Sequence, residues 1–209
     1  MKKIMFSERF GLEQAVLAGT KTMTRRIIKG NFEDVKAYHA DGGWHFIADT
    51  DEGDSVELKP QYEISERVAI AQPYKNDGVL TYNAYNEDGT AREDGLQRHK
   101  EILDSKGYCN KMFVKAEYMP HRIRITSIKV ERLQDISGGD CLKEGITTIT
   151  EGKNEVGNAY GWDPKIDALK RDSFLTPRAA FAALIDRISG RGTWQRNPWV
   201  YAYTFELIK

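Results

Sequence analysis

The chain has 209 residues, 40% of them hydrophobic and 30% charged, enough apolar material for one core and a little more than an average single domain. Lys+Arg equals Asp+Glu at 31 each, and a net charge of zero argues against a general duplex-DNA binder, which carries a basic excess, while leaving room for a local basic pocket. No run approaches the ~20 apolar residues of a membrane span, and Met1-Lys2-Lys3-Ile4-Met5-Phe6 lacks the apolar stretch of a signal peptide, so the expectation is a cytoplasmic protein with no membrane partner.

In chain order, residues 4–6 read as a short strand and residues 12–18 as a short helix that Gly19 is placed to end. A segment dense in donors and hydroxyls follows, Lys21-Thr22-Met23-Thr24-Arg25-Arg26. Asp41-Gly42-Gly43 is a hairpin signal before a strand at 44–48, with 56–58 as its neighbour. Residues 67–71 (RVAIA) read as a buried strand ended by Pro73. The pattern degrades over 75–118, where Asn, Asp and Gly are frequent and only 96–103 suggests a helix. Arg122-Ile123-Arg124-Ile125 alternates strictly, and the phase slips at Thr126-Ser127 before Ile128-Lys129-Val130, as at a bulge or bend. Ser137-Gly138-Gly139-Asp140 starts a capped helix through Lys143, closed by Gly145. A second irregular stretch covers 147–175, helical at most around 165–170. The clearest helix is 177–189, with Thr176 as cap, Pro177 at its first position, Gly190 past its end, and Phe181, Leu184, Ile185 and Ile188 as its apolar stripe. In the last strand, 199–207, the aromatic residues Trp199, Tyr201, Tyr203 and Phe205 share a face.

Many strands with few helices between them predict an α+β fold: a single domain over 1–209, built as a small mixed β-barrel with short flanking helices and insertions near 75–118 and 147–175. The four histidines are dispersed and Cys109 and Cys141 lie far apart, so neither a metal site nor a disulfide framework is expected. No P-loop, dinucleotide fingerprint or nucleophile elbow is present, so no cofactor is expected.

Three features carry chemistry. Lys21 and Thr24 lie three apart, so a turn could bring amine and hydroxyl together as Ser-Lys type hydrolases need; the plainer reading is a solvated connection. Arg122 and Arg124 share one side of a strand with Lys129 nearby, which is either the wet face of an edge strand or the lining of a groove for a phosphate or base. Trp194, among polar residues ahead of the last strand, is an exposed ring on which a base could stack, whereas Tyr201, Tyr203 and Phe205 are expected in the core.

Leu17-Ala18-Gly19-Thr20-Lys21-Thr22-Met23-Thr24-Arg25-Arg26 resembles the ASCH family, a branch of the PUA-like barrels, in its helix, Gly-x-Lys-Thr turn, Thr and Arg. Later landmarks agree in order: Ser65-Glu66-Arg67-Val68, Met119-Pro120 before Arg122, the run from Val130 to Ser137, Glu144-Gly145-Ile146, and Asn197-Pro198-Trp199-Val200-Tyr201. They look like the long ASCH proteins of bacterial and phage genomes. The resemblance implies a barrel with a cleft beside the Gly-x-Lys-Thr turn that binds RNA, a nucleotide or a modified nucleobase; the residues of this chain expected to bind such a ligand are Thr22, Arg25, Arg26, Arg122, Arg124 and Trp194. One small bacterial branch of the family is an amidohydrolase that deacetylates N4-acetylcytidine; carried over residue by residue, its catalytic set falls on Lys21, Thr24 and Glu144. The basic pair Arg25-Arg26 departs from that branch, where the first of these positions is apolar. The remaining alternative is a phage-linked accessory protein working through protein partners that the sequence does not identify.

Overall fold

The structure, a computed structural model, describes residues 1–41, 43–149, 159–162 and 173–208. In chain order the elements are β1 (Lys3–Ile4), α1 (Leu12–Leu17), β2 (Met23–Ile27), β3 (Phe32–Ala40), β4 (Gly43–Thr50), β5 (Ser55–Leu58), β6 (Arg67–Ile70), α2 (Asp77–Ala84), α3 (Gly95–Leu103), β7 (Arg122–Arg132), α4 (Gly138–Lys143), β8 (Thr147–Ile149), β9 (Ala159–Gly161), α5 (Pro177–Ser189), α6 (Thr193–Arg196) and β10 (Trp199–Ile208). Short 3-10 turns at Lys106–Tyr108, Lys111–Phe113, Ala116–Tyr118 and Leu133–Asp135 complete them.

The fold is mixed α/β, with a five-stranded sheet of order β1-β6-β7-β10-β2, a three-stranded meander β3-β4-β5 and the pair β8-β9. Among the described residues these sheets do not close into a barrel, and the five-stranded sheet ends on β1 and β2. No described helix is long and apolar enough to cross a membrane.

The chain resolves into two compact units, and two of the four division points, one within β7 and one within β10, fall inside strands. The first comprises Met1–Phe6, Ser65–Ile125 and Glu206–Lys209; the second comprises Ser7–Ile64 and Thr126–Phe205. The division within β7 coincides with the phase slip read at Thr126-Ser127: Ile123 and Ile125 are fully buried, and the next buried residue is Ile128.

In the first unit, β1 pairs parallel with β6, and β6 pairs antiparallel with β7 in the register Arg67↔Arg124, Val68↔Ile123 and Ala69↔Arg122. The stretch 75–118 supplies α2, α3 and three 3-10 turns, and its Val79, Ile102, Val114 and Tyr118 bury against Ala69, Ala71, Tyr74 and Met119. It therefore shares one core with β6 and the segments flanking it. Gly107 is fixed by close approach, since a Cβ there would sit 2.6 Å from the Tyr74 ring.

The second unit is held by β10, buried on both faces: Val200 and Ala202 on one, Tyr201, Tyr203 and Phe205 on the other. Strand β2 pairs with it antiparallel, Tyr203 opposite Thr24 and Ala202 opposite Arg25. The α5 helix has the expected bounds, with the Thr176 hydroxyl accepting from Ala179 N and Gly190 following at φ 101°. Phe181, Leu184 and Ile185 are buried as the stripe predicts, while Ile188 is exposed. The Ser137 cap of α4 forms as expected, its Oγ accepting from Asp140 N at 3.0 Å. The helix read around 165–170 lies outside the described residues.

Candidate functional site

The site is assembled where two short helices end. At the end of α1 the chain reverses through Gly19 (φ 75°), with Ala18 N donating to Gln14 O and both Thr20 N and Lys21 N donating to Ala15 O. This is a left-handed helix terminus, which glycine forms without steric cost. It delivers Lys21 to the C-terminal end of α4. There Glu144 N donates to the carbonyls of Asp140 and Cys141, and Gly145 follows at φ 100°. A Cβ on Gly145 would lie 3.1 Å from Leu12 Cδ2 and 3.4 Å from Lys21 Cδ, so the lysine stem runs over a position only glycine fills easily.

Lys21 Nζ donates to Glu144 Oε2 at 2.6 Å, to the Glu144 carbonyl at 2.7 Å and to the Met23 carbonyl at 2.7 Å. Three acceptors match the three donors of an ammonium. Thr22 N donates to the Lys143 carbonyl at 2.9 Å, so the Lys21-Thr22 turn also caps the last carbonyls of α4, with a cation where the helix dipole favours one. Burial pushes the Lys21 amine below its ordinary pKa; Glu144 opposes that shift, and the charges of Arg26 and Arg25 add to it.

Arg25 lies on the next strand and completes the cluster. Its Nη1 donates to Glu144 Oε1 at 3.0 Å, and its Nε and Nη2 donate to Glu131 Oε1 at 2.9 and 2.6 Å. Asp140 Oδ2 stands 3.7 Å from Nη2. Side-chain exposure sorts these groups into a floor and a rim: Lys21, Arg25 and Glu144 retain 2%, 1% and 6%, whereas Glu131 and Asp140 retain 19% and 20%. Cys141, beneath the cluster, has its thiol pushed up to about 11 by burial, which leaves it unreactive.

Of the residues singled out in the sequence, Lys21, Arg25 and Glu144 converge directly. Thr22 enters through its backbone, its N–H donating to the Lys143 carbonyl. Thr24 is buried on the β2 face opposite Arg25, across from Tyr203, and its hydroxyl makes no hydrogen bond among the described residues. Arg26 shares that face, half-buried across from Tyr201. Trp194 is half-buried, its ring edge-on to Phe181 at 6.2 Å with the Arg178 guanidinium 5.6 Å away, so it is packed where an exposed ring was expected. Phe181 in turn lies 6.0 Å from the Arg25 guanidinium. Arg122 and Arg124 belong to the first unit. Sequence reasoning missed Glu131 and Asp140. The signal available for them was the buried arginine itself, which requires carboxylates that only the tertiary fold brings from 106 residues away.

Among the described residues no group of three or more His, Cys, Asp or Glu could hold a metal ion. No family model, curated protein or solved structure matches the chain.

Proposed function

We propose that this chain is an ASCH-type module on a PUA-like scaffold, and that the Lys21–Glu144–Arg25 cluster is the floor of a site for a nucleobase-type ligand. The observation that carries this reading is the rim. Glu131 Oε2 accepts no hydrogen bond among the described residues, and Asp140 stands beside it, both partly exposed above a buried floor of two cations and one carboxylate. Two carboxylates at such a rim suit an exocyclic amine, as Asp and Glu accept from cytosine N4. The floor fixes their positions: Arg25 is pinned through Glu144 to Lys21, and its guanidinium fork sets Glu131. A buried amine whose pKa burial lowers, held against a specific charge partner, is the kind of group found at functional sites.

A second reading, hydrolysis of an N4-acylated cytidine, is favoured by one contact. Lys21 Nζ bonds the Met23 carbonyl, which leaves the amine one peptide unit from Thr24. In that reaction Lys21, having lost its proton, accepts the Thr24 hydroxyl proton as the Thr24 oxygen attacks the acyl carbonyl. The C–N bond then breaks as Lys21 passes that proton to the exocyclic nitrogen, cytidine leaves with a free amine, and water hydrolyses the acyl-Thr24 ester to a carboxylic acid. It requires the Thr24 side chain to turn toward Lys21.

Both readings are tested by incubating the protein with N4-acetylcytidine and titrating it with cytidine. Binding of cytidine that is weakened in Glu131→Gln supports the module. Deacetylation lost in Thr24→Ala adds the hydrolase. Absence of binding and of turnover eliminates both.

A further inference from the structure

We infer that the first unit carries a phosphate-binding site of its own, formed by Arg67 and Arg122 with Arg124, Tyr82 and Arg92 beside them. The inference does not rest on the function proposed for the second unit. It begins with strand register. Arg67 lies directly opposite Arg124 in the β6–β7 pair, and Arg122 is opposite Ala69, so Arg67, Arg122 and Arg124 project from one sheet face. Like charges directly opposite repel, and diagonal neighbours lie only about 7–8 Å apart. The surroundings compensate one of the three. Arg124 pairs with Glu206 at 2.6 Å. Arg67 and Arg122 have no carboxylate partner among the described residues.

The same face is closed at Ala69, which is fully buried in the core cluster that includes Val79 of α2. One helical turn further along α2, at i+3 from Val79, Tyr82 stands at the rim of that cover. Its hydroxyl accepts from Arg122 Nη2 at 3.1 Å, and the guanidinium groups of Arg122 and Arg92 lie 6.0 and 5.7 Å from its ring centroid. Tyr82 thereby holds Arg122, opposite Ala69 and diagonal to the uncompensated Arg67, at the edge of that cover. Two guanidinium groups lacking a carboxylate, one of them pre-oriented, recognise a phosphate ester by its charge and paired oxygens. The stretch 75–118, which contributes Tyr82 and Arg92, is in this reading part of the recognition surface.

The test is fluorescence anisotropy with a short labelled oligouridylate, competed by uridine monophosphate and by inorganic phosphate, over a range of salt. For a single strand the logarithm of affinity falls with the logarithm of salt by about 0.7 per phosphate neutralised, so the two uncompensated arginines give a slope of about −1.4. The Arg67→Ala/Arg122→Ala double variant is expected to abolish binding or to lose that slope. The Lys36→Ala variant, which removes an exposed cation of the second unit, leaves it unchanged. Competition by the monophosphate at comparable nucleotide concentration assigns the site to a free nucleotide; competition by the strand alone assigns it to a nucleic-acid backbone. No binding of any probe, or binding equal in the double variant and the native protein, overturns the inference. Cytidine binding measured in the same double variant separates this result from the reading of the second unit, which it leaves intact.

Discussion

Replacing Glu144 by Gln keeps the shape of the side chain and removes the charge on which the buried cluster depends. Lys21 would keep the carbonyls of Met23 and Glu144 and Arg25 would keep Glu131 and, at 3.7 Å, Asp140, but the two cations would face one neutral amide oxygen in place of a carboxylate. Breaking a buried pair from one side costs about 3–5 kcal/mol. An independent bound agrees: Lys21 can escape by releasing its proton, which from a reference near 10.4 costs about 4.6 kcal/mol at pH 7, at 1.36 kcal/mol per pKa unit. That escape carries a pH signature. The folded variant binds one proton fewer than the unfolded chain below pH ~10, so its stability rises with pH by up to about 1.4 kcal/mol per unit. All four tryptophans, Trp44, Trp162, Trp194 and Trp199, lie in the second unit, so urea unfolding followed by tryptophan emission reports on the unit that contains the cluster. A loss under about 1 kcal/mol, the scale of an exposed salt bridge, with no recovery on raising pH, would refute the reasoning.

Further predictions concern the same cluster and the first unit. Removing both partners together, in Lys21→Met/Glu144→Leu, should restore stability to within about 1–2 kcal/mol of native, since apolar replacement of a whole buried pair is often neutral; urea midpoints of the single and double variants give the comparison. Gly145→Ala should cost about 1–3 kcal/mol, because alanine at φ 100° is strained and its Cβ meets Leu12. Glu101, whose carboxylate accepts from Lys115 and from the Tyr118 hydroxyl, is held at about 2 against an ordinary 4.5. It contributes stability above pH ~4.5 that is lost as pH falls toward 2. Glu101→Gln should therefore be less stable at neutral pH and flatter across that window, as read by tyrosine signals of the first unit.

What was legible in the sequence was whatever local chemistry decides. Thr176, Pro177 and Gly190 mark both ends of α5, and Ser137 with Gly145 brackets α4, because caps and left-handed termini act within a few residues. Strand β2 reads as a polar connection, since its Thr24 and Arg25 are buried by partners distant in sequence: Tyr203 across the ladder, and Glu131 and Glu144 beyond it. Strand β3 was missed for a related reason. Of its nine residues only Val35 is buried, and its register is set by β4. The stretch 75–118 looked like an excursion because its apolar residues are sparse and meet only after the turns fold. The Lys21–Glu144 proximity was anticipated only through the family resemblance; spacing alone offered nothing to join residues 123 positions apart. Thr24 was expected beside Lys21 on three-residue spacing, and strand alternation turns its side chain to the face opposite Arg25.

The most direct test of the central claim is calorimetric titration of the native protein with cytidine and, in parallel, uridine, which lacks the exocyclic amine. If Glu131 and Asp140 receive that amine, cytidine binds more tightly by about fivefold or more, the discrimination of about 1–3 kcal/mol that a good base contact supplies. Equal affinities, or no heat with either nucleoside, would contradict the assignment and leave the Lys21–Glu144–Arg25 cluster as a structural clamp between the end of α1 and the end of α4.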